Sequence, residues 1–158
     1  MMGIDVDAGL AFAKSQMAAA PGLPVAGNLF ISVPDRDKER AVEIARGFAE
    51  LGFTLHATRG TADALKAAGV PVKSLHKIAE GRPKALDMIK NGELALIINT
   101  PSGKAAREDE VKIRSTANSA RIPVMTTLRA ARASLQGIRA LREHGLSVRA
   151  LQEYHPRK

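Results

Sequence analysis

The sequence predicts an α/β protein: a mainly parallel sheet covered by helices on both faces. Short apolar runs suited to buried strands alternate with segments in which apolar residues return every three or four positions, the period of a helix with one buried face. Proline and glycine punctuate the junctions between the two patterns. Strands separated by helices need crossover connections, and a crossover returns the chain parallel to the strand it left. At 158 residues the chain has room for one domain with a sizeable core plus a small appendage.

Taken in order, residues 1–20, MMGIDVDAGLAFAKSQMAAA, read as a helical remnant of a preceding unit, and residues 21–27 as a linker. The main unit spans 28–145. Its first strand is NLFISV, Asn28 to Val33, ended by Pro34-Asp35, with Asp35 placed to cap the next helix. That helix buries Ala41, Ile44, Ala45, Phe48 and Leu51 and stops at Gly52. A strand over Phe53 to Ala57 leads into HATRGTADAL, and a helix follows from about Ala62 to Ala68, ended by Gly69. Val70 to Leu75 is strand-like. Pro83 suits the first turn of a helix through Lys90 that Gly92 closes. Leu94 to Ile98, LALII, is the clearest buried strand. A long polar helix, a short strand over Ile122 to Met125 and a helix after Thr126-Thr127 complete the unit. Residues 146–158 add a short strand or lie as a tail.

Composition narrows the function. Apolar residues are 45% and charged residues 25%, an ordinary globular balance, and aromatics are only 3%, so Ala, Leu, Ile and Val must fill the core. The absence of cysteine excludes disulfides and thiolate metal sites and accords with a cytoplasmic setting. Neither a cleavable signal nor a membrane span is recognisable. The net charge of +8 points to an anionic partner: nucleic acid, a nucleotide or a protein surface. From Arg121 onward eight Lys/Arg face two Glu. Helical spacing there turns Leu128, Ala131, Leu135, Ile138 and Leu141 inward and the arginines outward, so a solvated face explains that excess. With so few aromatics, base-stacking platforms and hence nucleic-acid binding are not expected.

In a parallel sheet, ligands collect at the carboxyl ends of strands, where loops meet helix N-termini. The residues there are Ser32, Asp35 and Lys38; Thr58, Gly60 and Thr61; Lys77; Asn99, Thr100, Ser102 and Gly103; and Thr126 and Thr127. Hydroxyls, an amide, lysines and glycine-exposed N–H groups suit an anion. Read singly, Thr61 caps a helix and Lys38 and Lys77 are solvated lysines; their joint placement at several strand ends carries the functional reading. The set lacks groups for proton transfer at neutral pH. His56 reads as structural, and His76, His144 and His155 have no second ligand at metal spacing. There is no GxxxxGK[ST] loop, and HATRGTA fails the GxGxxG pattern.

The strings SVPDRDKERAVEIA, GFTLHATRGTADALKAAGVPV, HKIAEGRPKALDMIKNGELALIINTPSG and RIPVMTTLRAA together resemble the methylglyoxal-synthase-like allosteric domain that ends the large subunit of bacterial carbamoyl phosphate synthetase. MGIDVDAGLAFAKSQMAAA is similar to the end of the preceding synthetic domain, and ALQEYH resembles the subunit's terminus. The resemblance covers nearly the whole chain. It implies a three-layer α/β/α, Rossmann-like fold with a parallel sheet of about five strands.

The resemblance also implies a regulatory, non-catalytic role. ATP, magnesium and potassium would belong to synthetic domains outside this sequence, which use ammonia from a glutaminase small subunit and serve pyrimidine and arginine biosynthesis. The effector would be a nucleotide monophosphate, UMP as inhibitor and IMP in some members. Matched by motif, its site would comprise Lys38, Thr58, Gly60, Thr61, Lys77, Asn99, Thr100 and Ser102. Pro101 replaces a threonine common in the INTxSG loop. Val124 stands where ornithine-responsive members carry tyrosine, leaving Thr126 as the remnant of an ornithine-like second effector site. The rest of the large chain and the small subunit are the implied partners, with homo-oligomerisation open. The alternative is a free-standing methylglyoxal synthase, a lyase that needs a positioned carboxylate. Where such synthases carry an aspartate in a GGDxQ-like string, this sequence reads TPSGKAARED, with no acid before Glu108.

Overall fold

A computed structural model of the chain describes residues 1–19, 21–75, 85–101 and 107–154. Helix α1 (Ala8–Ala19) precedes strand β1 (Asn28–Ser32), a 3-10 turn (Asp35–Asp37), α2 (Lys38–Glu50) and β2 (Thr54–Thr58). Then come α3 (Arg59–Ala67), β3 (Lys73–Leu75), α4 (Ala85–Lys90), β4 (Leu94–Asn99), α5 (Arg107–Ser119), β5 (Val124–Met125), α6 (Leu128–His144) and α7 (Leu151–Tyr154). The sheet has five strands in the order β3-β2-β1-β4-β5, and every pairing is parallel. Strand order reverses direction between β1 and β4, so the crevice outside their carboxyl ends is the topological switch point.

Strand alternation divides the core in two. Leu29 and Ile31 of β1, Leu55 and Ala57 of β2, and Leu96 and Ile98 of β4 pack beneath α2, α3 and α6. Phe30, Leu94 and Ile97 pack with Ala85, Met88 and Ile89 of α4 and Ile113 and Ala117 of α5 on the opposite face. Leu94 and Leu96 share parity yet face opposite ways. The β1–β4 register shifts between Asn28, opposite Leu94, and Leu29, opposite Leu96, so Ala95 is an extra bulged residue that inverts the alternation. The α1 helix adds Ala13 to the larger cluster and lies across α6, where Gly9 and Gly137 let the two backbones approach.

Helices α2, α3, α4 and α5 end in one repeated way. Phe53 N–H bonds to Phe48 O, Val70 to Leu65, Glu93 to Met88 and Ile122 to Ala117, and the residue before each donor bonds three back, the Schellman pattern. Its left-handed position is taken by Gly52, Gly69 and Gly92, but in α5 by Arg121, with φ of 54°. Phe48 and Phe53 also meet edge to face, their centroids 5.3 Å apart.

Four expectations are corrected. Asp35 does not cap α2: it lies in the 3-10 turn, and neither that turn nor α2 has a side-chain cap. Helix α3 begins at Arg59 rather than near Ala62. The third strand is confined to Lys73–Leu75, because Val70 is spent packing the end of α3 into the core. The final segment forms the short helix α7 instead of a strand. Leu128, Ala131 and Ile138 of α6 are buried, whereas Leu135 and Leu141 are only partly so. Pro83 lies outside the described residues.

Candidate functional site

Three strands end abreast at the carboxyl edge. Ser32 pairs with Asn99, and the pairing of Ile31 with Ala57 sets Ser32 level with Thr58. By alternation all three project on the face that carries α4 and α5. Thr58 Oγ1 lies within hydrogen-bonding reach of Ser32 Oγ, at 3.5 Å, and of Thr61 Oγ1, at 3.2 Å.

Thr58 is also the residue at which β2 turns into α3. Its backbone is extended, with φ −60° and ψ 150°, and its side chain makes no capping bond. The first-turn N–H groups of α3, those of Gly60 and Thr61 among them, are therefore not satisfied by the N-cap side chain, which is the arrangement that favours an anion. Thr61 differs from its neighbours. It is 2% exposed; its Oγ1 accepts from Val33 N–H at 3.3 Å and donates to Val33 O at 3.4 Å. The hydroxyl thus fastens α3 to the loop after β1, and what Thr61 presents outward is its backbone.

Lys38 opens α2. Its Nζ is 2.7 Å from Asp35 Oδ1 and stands over Gly60, 3.1 Å from where a Cβ on that glycine would lie. The hydrogen bond and charge of Lys38 hold the Asp35 carboxyl below its ordinary range. Two helix N-termini and one ammonium group converge beside Thr58 and Ser32, all positive in sign.

Across the switch point, Asn99 and Thr100 are 3% and 5% exposed. Thr100 N–H bonds to Ser32 O at 3.1 Å, and Thr100 Oγ1 donates to Asp37 Oδ2 at 3.4 Å. Arg36 Nη2 donates to Pro101 O at 3.3 Å. These contacts join the loops after β1 and β4, and sequence reasoning missed Arg36 and Asp37 in that role. Their signal was the DRDK run, whose charges could equally have faced water. Asn99 Nδ2 is buried without a hydrogen-bond partner among the described residues, which is unusual for a native amide.

Lys77, Ser102 and Gly103 lie outside the described residues. The structure brings Lys38, Thr58, Gly60, Thr61, Asn99 and Thr100 to one edge, but Thr126 follows β5, across β4 from the Ser32–Thr58 group. Thr127 is the N-cap of α6, its Oγ1 accepting from Ala130 N–H at 3.1 Å. His56 lies two residues below Thr58, buried, with Nε2 3.4 Å from Asn28 Oδ1. Burial, helped by the Lys73 charge and opposed by Glu93, depresses its pKa. Among the described residues no group of three or more His, Asp or Glu is arranged to hold a metal ion. No helix among them is long and apolar enough to cross a membrane.

The family model described as "MGS-like domain" matches residues 40–126. The carbamoyl phosphate synthase large chain, C-terminal section, of Aquifex aeolicus is 47% identical over 160 aligned positions, covering 98% of this chain and 30% of that protein. The carbamoyl phosphate synthase large chain of Gemmatimonas aurantiaca is also 47% identical, over 98% of this chain and 14% of its own length. The arginine-specific chloroplastic large chain of rice is 43% identical, over 98% and 13%. The chain therefore spans less than a third of the length of these curated relatives.

Proposed function

Because the chain belongs to the MGS-like domain family, we propose that it is the regulatory domain of a carbamoyl phosphate synthase large chain and binds a nucleoside monophosphate at the carboxyl edge of its sheet. The observation that carries this reading is the position of Lys38 Nζ over Gly60, at the uncapped start of α3. A phosphate there would accept from the ammonium, from the Thr58 hydroxyl and from the first-turn N–H groups, all charge-assisted bonds. Asn99 Nδ2, buried and unpartnered, would donate to the sugar or base on the β4 side. Lys77 and Ser102 belong to the same motif set and are assigned to the site with it.

In this reading catalysis, with its ATP, magnesium and potassium, resides in the remainder of a cytoplasmic large chain fed with ammonia by a glutaminase subunit. The domain contributes a coupling free energy between two conformations, typically about 1–3 kcal/mol. UMP is the first candidate effector and IMP the second; ornithine acting near Thr126 is the least supported.

Calorimetric titration of the chain with UMP, IMP and ornithine tests the proposal. Lys38→Ala should weaken UMP by about 1.5–3 kcal/mol, roughly tenfold or more. Unchanged UMP affinity in that variant would remove the phosphate from this edge, and failure of every nucleotide to bind would overturn the function.

A further inference from the structure

Resting on that nucleotide reading, we propose that Asp35 is a built-in competitor for the ligand's phosphate, a carboxylate that engages the Lys38 ammonium in the free chain and opposes the phosphate's approach to it. Asp35 Oδ1 stands 2.7 Å from Lys38 Nζ, the distance of a charge-assisted hydrogen bond. The two side chains differ in freedom: that of Lys38 is 26% exposed and that of Asp35 94%. The ammonium is half-buried over Gly60, while the carboxylate reaches it from open solvent.

Asp35 has no visible structural task. It lies in a 3-10 turn that Pro34 precedes without a side-chain cap, and α2 is not capped by a side chain either. Among the described contacts its carboxylate has one partner, Lys38. That partner is also the ammonium that stands over Gly60 in the first turn of α3, so an anion that docks on it meets Asp35. The depressed Asp35 pKa has the same origin, since the ammonium stabilises the ionised carboxylate. A phosphomonoester carries a charge of about −1.5 to −2 at pH 7. It outbids a single carboxylate for the ammonium and repels it, and Asp35, almost wholly in water, can swing away without breaking another contact. The consequence is a raised threshold: the domain fills only when nucleotide is abundant enough to displace its own carboxylate.

The test is calorimetric titration of UMP into the unmodified chain, Asp35→Asn and Glu39→Gln. Glu39 is exposed in the first turn of α2, next to Lys38 in sequence, and its substitution removes the same charge without touching the pair. Asp35→Asn should bind UMP about two- to fivefold tighter, the range an exposed ion pair spans, while Glu39→Gln stays clearly below that gain. Unchanged or weaker binding in Asp35→Asn, or an equal gain in Glu39→Gln, overturns the competitor role. If the unmodified chain binds UMP and Asp35→Asn does not differ, the nucleotide site stands and only Asp35 is reassigned. If the unmodified chain does not bind UMP, the nucleotide reading falls and the competitor with it.

Discussion

Replacing Gly60 with alanine separates what the fold needs from what the site needs. Gly60 lies in the first turn of α3, where helical backbone suits alanine better than glycine. Among the described residues a Cβ there would meet only Lys38, with Nζ at 3.1 Å and Cε at 3.9 Å. Because that contact is the far end of a flexible side chain, a few tenths of an ångström of movement relieves it. The fold should therefore gain from the lower chain entropy of the unfolded state, by about 0.5 kcal/mol. For a chain of this size that is a rise of roughly 1–2 °C in Tm.

Binding should move the other way. The methyl group would stand between the ammonium and the first-turn N–H groups, in the space a phosphate must enter to reach both. Losing one charge-assisted contact is worth about 1.5–3 kcal/mol, so UMP affinity should fall roughly tenfold or more. Thermal denaturation of the ligand-free variant and calorimetry with UMP read the two effects separately. A variant with raised Tm and undiminished affinity would refute the placement of the anion. A variant that loses several degrees would refute the claim that the fold tolerates a side chain at this position.

Thr61→Val keeps the shape but strands the Val33 N–H that now bonds to Thr61 Oγ1; urea unfolding should show a loss of about 1–3 kcal/mol. His56 has a folded pKa below its unfolded value near 6.5, so its neutral form stabilises the fold fully above about pH 6.5. That contribution is lost as pH falls from there toward the depressed value, because the unfolded chain then binds more protons. His56→Gln should flatten this part of the stability–pH profile in denaturant titrations between pH 8 and pH 5. Arg121→Gly relieves a left-handed backbone at φ 54° and should raise stability by about 0.5–1 kcal/mol, read as a Tm increase of roughly 1–4 °C; no change would mean that the side chain compensates there.

The alternation of elements was legible because each junction carries a local chemical signal. The five-residue apolar block of β4 and the glycines ending α2, α3 and α4 are written in short windows, and the structure uses them as written. What was misread depended on distant partners. The bulge at Ala95 leaves LALII looking like any buried strand, yet it inverts which core each leucine joins. Asp35 reads as a helix cap in sequence, but the 3-10 turn over Asp35–Asp37 moves the helix start to Lys38 and leaves Asp35 as an ion-pair partner. That several strand-end residues of the candidate site share one edge was legible, but not what each side chain does there: Thr61 looks like Thr58 in sequence, yet it is buried with its hydroxyl bonded to Val33.

The boundary set too late, at α3, is informative in itself. The pattern placed the helix start near Ala62, with Thr61 as its cap, whereas the structure makes Thr58 the N-cap and puts Gly60 and Thr61 in the first turn. Each glycine inside the other helices has a packing reason. A Cβ on Gly47 would lie 2.5 Å from Leu135 Cδ2, one on Gly9 would lie 2.9 Å from Gln136 O, and one on Gly137 would lie 3.1 Å from Gly9 O. Gly60 has no left-handed backbone, and among the described residues it faces only the tip of Lys38. With no contact of the fold to ease among the described residues, Gly60 leaves the space over the first-turn N–H groups open, which is the space an anion approaching the backbone would use. Gly60 thus accords with the anion site proposed at this helix start, and its replacement by alanine is the substitution that tests that proposal most directly.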